Sequence, residues 1–401
     1  MGGRQYRHPA TVEGEMKIGI TQPAIAPDMV GLSNVFALLK KALAQRHMVL
    51  ELPPGYDRHS KSQRRLSAEQ FVLECDAILG VGKLEVLEAR ESLGKPVPYL
   101  FYALGHFSRG AIGIAGMLPY VTNLDTIIVN CTADEAIAQQ LLQNAQVEVI
   151  PYPVDLEFYR DLGETNRERA RESFGIASAT PILLYPGRIT LEKNVHTLIK
   201  IFGEVQRRVP TALLLLAGRI YDRPVPELGL YVINLERAIS RTIERSGIPE
   251  GHVRFLGHAE ASTMRDLYNI ADVVVNTTLH HDENFGNAQV EALACGTPVV
   301  GTYWGGLKDS IVDDTTGYHI STYVTPIGIK VNWLEAIDNV VSILQDDRLR
   351  SRLRQSSLER AAEKYSMGEF VRRVDAAMNR TLRERQRTTW LYYLRGVYCR
   401  V

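Results

Sequence analysis

The feature of this 401-residue chain that most constrains its fold is a repeated alternation of short apolar segments with helical patterns. Six apolar, β-branched runs lie between residues 17 and 150, and five more lie between residues 182 and 301. Helical patterns separate them; in one, Val195, Leu198 and Phe202 mark the buried face of a helix. Strands that alternate with helices form parallel sheets with helices on both faces. The sequence therefore predicts an α/β protein with two doubly wound, Rossmann-like domains.

The predicted strands define the two halves of the chain. Those of the first half are Lys17–Ile20, Val49–Leu52, Ala77–Leu79, Tyr99–Ala103, Thr126–Val129 and Glu148–Ile150. Those of the second half are Ile182–Tyr185, Ala212–Leu216, Val253–Leu256, Asp272–Asn276 and Pro298–Gly301. A helix is expected from about Ser33 to Arg46, and only helices from about Asn332 onward. We expect a polar tail at 1–15, domains at 16–165 and 166–370, and final helices at 371–401.

Composition excludes several classes of function. The formal net charge is zero, so the chain lacks the surplus positive charge of nucleic-acid-binding proteins. Four cysteines without a paired short spacing indicate reduced thiols rather than a disulfide or metal framework. No apolar run reaches the length of a membrane span, and no signal region is visible, so we expect a cytoplasmic protein. Residues 383–400 mix arginines with aromatic side chains, a candidate for weak peripheral contact with the inner face of a membrane.

Two carboxylates eight positions apart, Glu283 and Glu291, carry the strongest chemical signal. A Phe-Gly turn follows the first, and a short helix is expected from Gly286 to Gly296. The first amides of a helix lack internal partners and, with the helix dipole, attract anions. Glu291 lies among apolar neighbours and therefore requires donors, such as the two hydroxyls of a ribose or a nearby cation. This layout suits a ligand with phosphates in the middle and hydroxyls at both ends, as in a nucleotide sugar.

Two cations occupy a strand-to-helix loop in the same half. Pro186-Gly187-Arg188 follows a predicted strand directly, and Lys193 stands five residues later at the start of the next helix. A guanidinium and an ammonium together suit a diphosphate, whose departure they would stabilise. Solvated surface cations are the alternative interpretation of these two residues alone.

The order of these motifs resembles a known family. Gly187-Arg188, Lys193, the run from Glu283 to Glu291 that continues Ala-Leu-Ala-Cys-Gly-Thr-Pro-Val-Val, and Gly305-Gly306 resemble the nucleotide-sugar domain of retaining GT-B glycosyltransferases. That family includes sucrose synthases, bacterial mannosyltransferases and capsule enzymes. The resemblance is strong over roughly residues 181–320 and fainter before them. It implies two Rossmann-like domains facing across a cleft, with the helices at 371–401 crossing back to the first domain.

The resemblance implies a metal-independent hexosyltransferase that uses a nucleotide-diphosphate sugar, with a donor of the UDP-glucose type as the default. The acceptor would be a glycan or a lipid-linked glycan in polysaccharide or glycoconjugate biosynthesis. The implied catalytic residues are Arg188, Lys193, Glu283 and His106. The implied donor-binding residues are Phe285, Gly286, Asn287, Ala288, Glu291, Arg254, Phe255, Leu256 and Gly31. In these roles the cations hold the diphosphate, Glu283 contacts the sugar, Glu291 binds the ribose and Arg254–Leu256 border the base.

No cofactor and no catalytic metal are expected. His280 and His281 are adjacent, and neighbouring residues of an extended strand point to opposite faces. Asp309 stands where the family commonly has Glu, and Ala217-Gly218-Arg219 keeps one glycine of the usual two. These departures leave the sugar, the base and the acceptor open, with GDP-mannose an alternative donor; the oligomeric state is open as well.

Two other functions compete with transfer. A nucleotide-sugar epimerase of the same fold would alter the sugar without an acceptor, and a binding module would hold the nucleotide sugar without turnover. An NAD-linked oxidoreductase is disfavoured because no Gly-x-Gly-x-x-Gly follows the first strand.

Overall fold

The chain divides into two compact units. The computed structural model describes residues 14–23, 30–53, 55–95, 97–103, 118–122, 125–142, 145–222, 234–280, 283–326 and 328–381. The first unit contains the described residues up to Pro153 and those from Met367 onward. The second unit is Val154–Ser366.

The first unit is built on a parallel six-stranded sheet. Its strands are β1 Lys17–Thr21, β2 Met48–Glu51, β3 Ala77–Gly80, β4 Tyr99–Tyr102, β5 Thr126–Val129 and β6 Gln146–Val149, in the order β2-β1-β3-β4-β5-β6. Its helices include α1 Val30–Leu43, α2 Lys61–Glu74, α3 Leu84–Ser92 and α4 Thr132–Leu141, with 3₁₀ turns at Tyr56–Arg58 and Leu118–Tyr120. The four residues of β3, β4 and β5 are all buried, as a parallel sheet covered on both faces requires.

The second unit repeats this plan. Its parallel strands are β7 Ile182–Pro186, β8 Leu213–Ala217, β9 Val253–Gly257, β10 Val273–Asn276, β11 Val299–Thr302 and β12 Gly317–Ile320, in the order β12-β11-β10-β7-β8-β9. An antiparallel hairpin follows, β13 Thr322–Thr325 and β14 Gly328–Val331. The helices are α5 Glu164–Ser173, α6 Val195–Arg208, α7 Leu235–Arg245, α8 Ala261–Ile270, α9 Asn287–Ala294, α10 Leu307–Ser310, α11 Trp333–Gln345 and α12 Asp347–Tyr365.

The prediction of two Rossmann-like parallel sheets is confirmed, and each of the eleven predicted strands overlaps an observed one. β12 and the hairpin were not predicted, because their four-residue strands carry few consecutive apolar residues. The predicted bounds of the first helix were wrong, because α1 begins and ends three residues earlier.

The strand order fixes where each sheet can bind a ligand. In the second unit the chain runs outward from β7 through β8 to β9 on one side, and from β10 through β11 to β12 on the other. The order therefore reverses between β7 and β10, which pair directly. Ligands of open α/β sheets bind at the carboxyl ends of the strands at such a switch point. The loops after β7 and β10, which carry the predicted site residues, both leave from it.

Residues 367–381 form a helix that packs on the first unit. His47 Nε2 lies 2.8 Å from Asp375 Oδ1, and Arg373 donates to the carbonyl of Val149 at 3.3 Å. Phe370 lies 6.5 Å from Tyr102 between ring centroids. Among the described helices, none combines the length and the apolar character needed to cross a bilayer.

A buried ion pair holds the middle of the first sheet. Asp125 is fully buried and accepts hydrogen bonds from Arg90 Nη1 at 2.6 Å and Arg90 Nη2 at 3.0 Å. The same carboxylate accepts from the amides of Tyr99 and Thr122 at 3.0 and 2.8 Å. The Asp125 carboxylate thereby joins α3 to the starts of β4 and β5. It is the hydrogen-bond acceptor that the buried Arg90 guanidinium and the two amides share.

We predict that Asp125→Ala lowers the free energy of unfolding by about 3–5 kcal/mol, because it leaves the Arg90 guanidinium buried without its partner. The matched control is Asp338→Ala, which removes the exposed partner of Arg208 and should change stability by less than about 1 kcal/mol. Urea denaturation of both variants measures the difference. Equal effects of the two substitutions would contradict this account of the sheet.

Candidate active site

The structure brings Lys193 and Glu283 together, although 90 residues separate them in the chain. Lys193 Nζ forms an ion pair with Glu283 Oε2, and their side chains are only 19% and 12% exposed. Asn194 and Thr277 join the two loops by a pair of hydrogen bonds. Asn194 Nδ2 donates to the carbonyl of Thr277 at 3.0 Å, and Thr277 Oγ1 donates to the carbonyl of Asn194 at 3.1 Å. The pair therefore occupies a fixed position at the β7–β10 switch point.

Arg188 lies on the same edge, in a loop with little freedom. The phenol of the buried Tyr185 donates to the Arg188 carbonyl at 2.8 Å, while the arginine itself is exposed. The Gly187 amide donates to the carbonyl of Ala217 at 2.9 Å. A Cβ at Gly218 would lie 1.8 Å from the Gly187 carbonyl oxygen. The one glycine that this chain keeps after β8, Gly218, is therefore the residue on which the loop after β7 packs.

The amino end of α9 faces this edge. Gly286 is its N-cap residue and adopts the left-handed conformation, φ 82°. Among the described residues, the amides of Asn287 and Ala288 have no hydrogen-bond acceptor. Two free amides and the helix dipole form an anion site. The Phe285 ring is buried and packs edge-on against Tyr365 at 5.8 Å, so its side chain anchors the turn and only its backbone borders the site.

The Gly305-Gly306 turn supports the loop that carries Glu283. The Gly306 amide donates to the carbonyl of Glu283 at 2.8 Å. A Cβ at Gly305 would lie 2.1 Å from that carbonyl oxygen, and one at Gly306 would lie 2.3 Å from the backbone of Asn284. The two glycines are required because backbone packs directly on backbone.

Two tyrosines lie beside the Glu291 carboxylate. Tyr268 Oη donates to Glu291 Oε2 at 2.8 Å, and Tyr159 lies close enough to affect the pKa of the same carboxyl. Burial raises the pKa of Glu291 to about 7, and the two phenols offset part of that rise. Glu291 is therefore held by a neutral donor, and the expected alternative of a salt bridge is not what the structure shows. Neither tyrosine was predicted as part of the site, because nothing in their spacing links them to Glu291.

The remaining predicted residues lie apart from this group. Arg254, Phe255 and Leu256 belong to β9, which β8 separates from β7. The Arg254 guanidinium donates to the carbonyl of Phe174 at 3.1 Å, and Phe255 is exposed. Gly31 lies in the first turn of α1, in the first unit.

Some of the predictions fall outside the described residues. His106 lies there, as do His281 and Asp282 of the sequence before Glu283. The described part of the chain contains no group of three side chains arranged to hold a metal ion.

Comparison with known proteins finds a family match within the second unit. Residues 166–359 match the family model of glycosyl transferases group 1. A D-inositol 3-phosphate glycosyltransferase of Xylanimonas cellulosilytica is 29% identical over 213 residues, which cover 52% of this chain and 45% of that protein. A second enzyme of that name, from Catenulispora acidiphila, is 28% identical over 57% of this chain and 54% of its own length. The chain thus spans about half the length of the curated relatives it matches.

Solved structures show the same fold over most of the chain. A glycosyltransferase from Rickettsia africae superposes with a TM-score of 0.68 at 16% identity, covering 92% of this chain and 99% of that one. Anabaena HepE in complex with UDP-glucose superposes with a TM-score of 0.65 at 17% identity, covering 91% and 99%. The two parallel-sheet units therefore have the GT-B architecture.

We predict that Gly306→Ala displaces the Glu283 loop, because its Cβ would enter the backbone of Asn284. The variant should melt several degrees lower than the wild type by differential scanning fluorimetry, consistent with a loss of about 1–3 kcal/mol for added strain in a packed site. Gly368→Ala is the control, since nothing lies within 4 Å of its Cβ position. A Gly306→Ala protein as stable as the control would rule out the supporting role of this turn.

Proposed function

We propose that this protein is a retaining glycosyltransferase that moves a hexose from a nucleotide-diphosphate sugar to an acceptor hydroxyl. One observation carries the proposal: the Lys193–Glu283 pair lies at the switch point of the second sheet, where the amino end of α9 also opens. The family match over residues 166–359 supports the same activity.

The diphosphate of the donor would bind between the two loops. Arg188 and Lys193 supply positive charge from the β7 side, and the amides of Asn287 and Ala288 supply donors from the β10 side. Lys193 forms an ion pair with Glu283. A bound diphosphate would take over Lys193, which frees the Glu283 carboxylate for hydroxyls of the sugar. Charge that develops on the leaving diphosphate would then meet preorganised donors, the largest source of rate enhancement in such sites.

The nucleoside would be held by Glu291 and bordered by Arg254–Leu256. The Glu291 carboxylate already accepts from the Tyr268 phenol, and ribose hydroxyls would complete its set of donors. The β9 residues lie two strands away from β7, a separation of roughly 10 Å that a nucleoside can span.

Retention at the anomeric carbon would follow from positioning. Leaving group and incoming hydroxyl would share one face of the sugar, and the departing phosphate oxygen would accept the proton of the acceptor. The bond from the anomeric carbon to the phosphate oxygen breaks as the bond to the acceptor oxygen forms. No residue of the chain acts as a covalent nucleophile in this scheme, and we propose that it proceeds without a metal ion.

The donor proposed first is UDP-glucose, the ligand in one HepE structure. A glycan or lipid-linked glycan is the proposed acceptor class. Relatives 26–29% identical are named for transfer to D-inositol 3-phosphate, which makes a phosphorylated polyol the second acceptor to test.

We predict that Lys193→Ala reduces sugar transfer at least about a hundredfold, because it removes one of the charges that stabilise the leaving diphosphate. Glu291→Ala should lower donor affinity to a comparable extent. Lys364→Ala is the control, since that exposed lysine lies on α12, away from the crevice. Release of UDP from UDP-glucose, with and without acceptor, measures the change. Near-normal release by Lys193→Ala would remove it from the site, and binding without any release by the wild type would favour a binding module.

We predict that affinity for UDP-glucose falls about tenfold between pH 8 and pH 6, because a carboxylate with a pKa near 7 is protonated over that range and stops accepting from ribose hydroxyls. The diphosphate diester of the donor does not titrate in this range, so the change reports on the protein. Glu291→Gln should bind weakly at both pH values and show a flat profile. Calorimetric titration checks this, and the same slope in Glu291→Gln would assign the pH dependence to another group.

A further inference from the structure

A second candidate surface lies on the second unit, outside the active site described above. It is a groove of about 680 Å³ between α6, the end of α7 and the β13–β14 hairpin. Side chains with exposed charge or aromatic rings dominate its lining: Lys200, Arg245, Tyr323, Lys330 and Trp333.

The groove carries positive charge that nothing nearby neutralises. Lys200, Arg245 and Lys330 are exposed, and none has a carboxylate within ion-pair distance among the residues that the structure describes. Glu204 is the acidic residue of the lining and already pairs with Arg207. The two lysines converge on His196, whose pKa is lowered by burial and by both of their charges. A groove with this charge attracts anions.

The hairpin beside the groove exposes apolar side chains on both of its faces. Tyr323 stands opposite Lys330 on the groove face, and Val324 stands opposite Ile329 on the other. Val324 is 83% exposed and Tyr323 49% exposed. The strands pair with each other and join neither six-stranded sheet. Exposed apolar side chains that are grouped in this way beside cations mark a surface that contacts a partner or a membrane.

The same apolar character continues into α11. Trp333 and Leu334 open that helix, and both are about half exposed. Trp333 also lines the groove, which places an indole ring beside the cations. Aromatic rings with a polar end and cationic side chains with long apolar stems are the side chains that occupy a membrane interface.

We propose that this face of the second unit binds an anionic lipid surface. Val324, Ile329 and Trp333 would enter the interfacial region, while Lys200, Arg245 and Lys330 contact the lipid phosphates. A protein partner docked on the groove would cover one face of the hairpin and leave Val324 and Ile329 in water. Free phosphate would neutralise the cations and leave all of the apolar side chains exposed. A lipid interface satisfies both sets of groups.

The surface lies close to the proposed donor site. Lys200 stands seven residues after Lys193, so roughly 10 Å along α6 separates the groove from the ion pair. Membrane binding would therefore hold the donor crevice near acceptors that are anchored in lipid. This consequence depends on the proposed function, whereas the lipid contact itself does not.

Vesicle co-sedimentation of the full chain tests the proposal. We expect binding to vesicles of equal parts phosphatidylcholine and phosphatidylglycerol, and none to phosphatidylcholine alone. Lys200→Gln with Lys330→Gln should weaken binding about fivefold per lysine. Val324→Ser with Ile329→Ser should weaken it about tenfold. The matched controls are Lys364→Gln and Leu66→Ser, which change an exposed lysine and an exposed leucine elsewhere and should bind as the wild type does.

Melting temperature and UDP release in solution should be unchanged in both double variants, because their residues are exposed and lie outside the donor crevice. Failure of the wild type to bind anionic vesicles would overturn the proposal, as would unchanged binding in both double variants. Binding that depends on residues 383–400 and ignores the hairpin would assign the contact to that segment instead. A thermal shift with inorganic phosphate that Lys200→Gln with Lys330→Gln abolishes, without vesicle binding, would make the groove a site for soluble anions and overturn the lipid contact.

Discussion

The ion pair between Lys193 and Glu283 is the interaction on which the site depends. It joins the loop after β7 to the loop after β10, and these two loops leave the sheet where its strand order reverses. A buried pair of this kind contributes little net stability, because desolvation of the two charges offsets their attraction. Its value is positional, because it fixes two oppositely charged groups at the edge of the sheet where the strand order reverses. We infer that a ligand with an anionic part and a hydroxyl-bearing part would replace this ion pair. The anionic part would bind Lys193 and the hydroxyls would bind Glu283, so neither charge would lose its partner.

Backbone packing makes that position available. Gly218 lets the Gly187 carbonyl approach, and Gly305 and Gly306 let the Glu283 loop rest on the turn after β11. The Tyr185 phenol also holds the loop after β7, because it donates a hydrogen bond to the Arg188 carbonyl. Each of these contacts involves main-chain atoms. A side chain added at one of the glycines should therefore move the backbone of the loop it touches, and with it Arg188 or Glu283. The strand order sets the place of the site, and these close approaches set its geometry.

Much of this could be predicted from the sequence, and the omissions have physical causes. The parallel sheets follow from the alternation of apolar runs with amphipathic helices, and the crevice residues follow from motifs at strand ends. The positions of Tyr159 and Tyr268 beside Glu291 could not be predicted from the sequence. Contacts between residues far apart in the chain depend on how the helices pack, and spacing in the sequence does not show this. The hairpin was missed because four-residue strands with Thr, Lys and Gly show too little periodicity. In the first unit the sequence predicted the fold and two site residues, of which Gly31 lies in the first turn of α1 and His106 lies outside the described residues.

Amide hydrogen exchange with and without UDP-glucose, with GDP-mannose in parallel, measures whether a donor binds at the β7–β10 switch point. We expect slower exchange in the loop 187–194 and at the start of α9, 284–291, on addition of one of the two donors. The β9 segment should gain less protection, since its contact would be with the base alone. Protection confined to the loops after β1 and β3 of the first unit, or no protection with either nucleotide sugar, would contradict a donor site at the β7–β10 switch point.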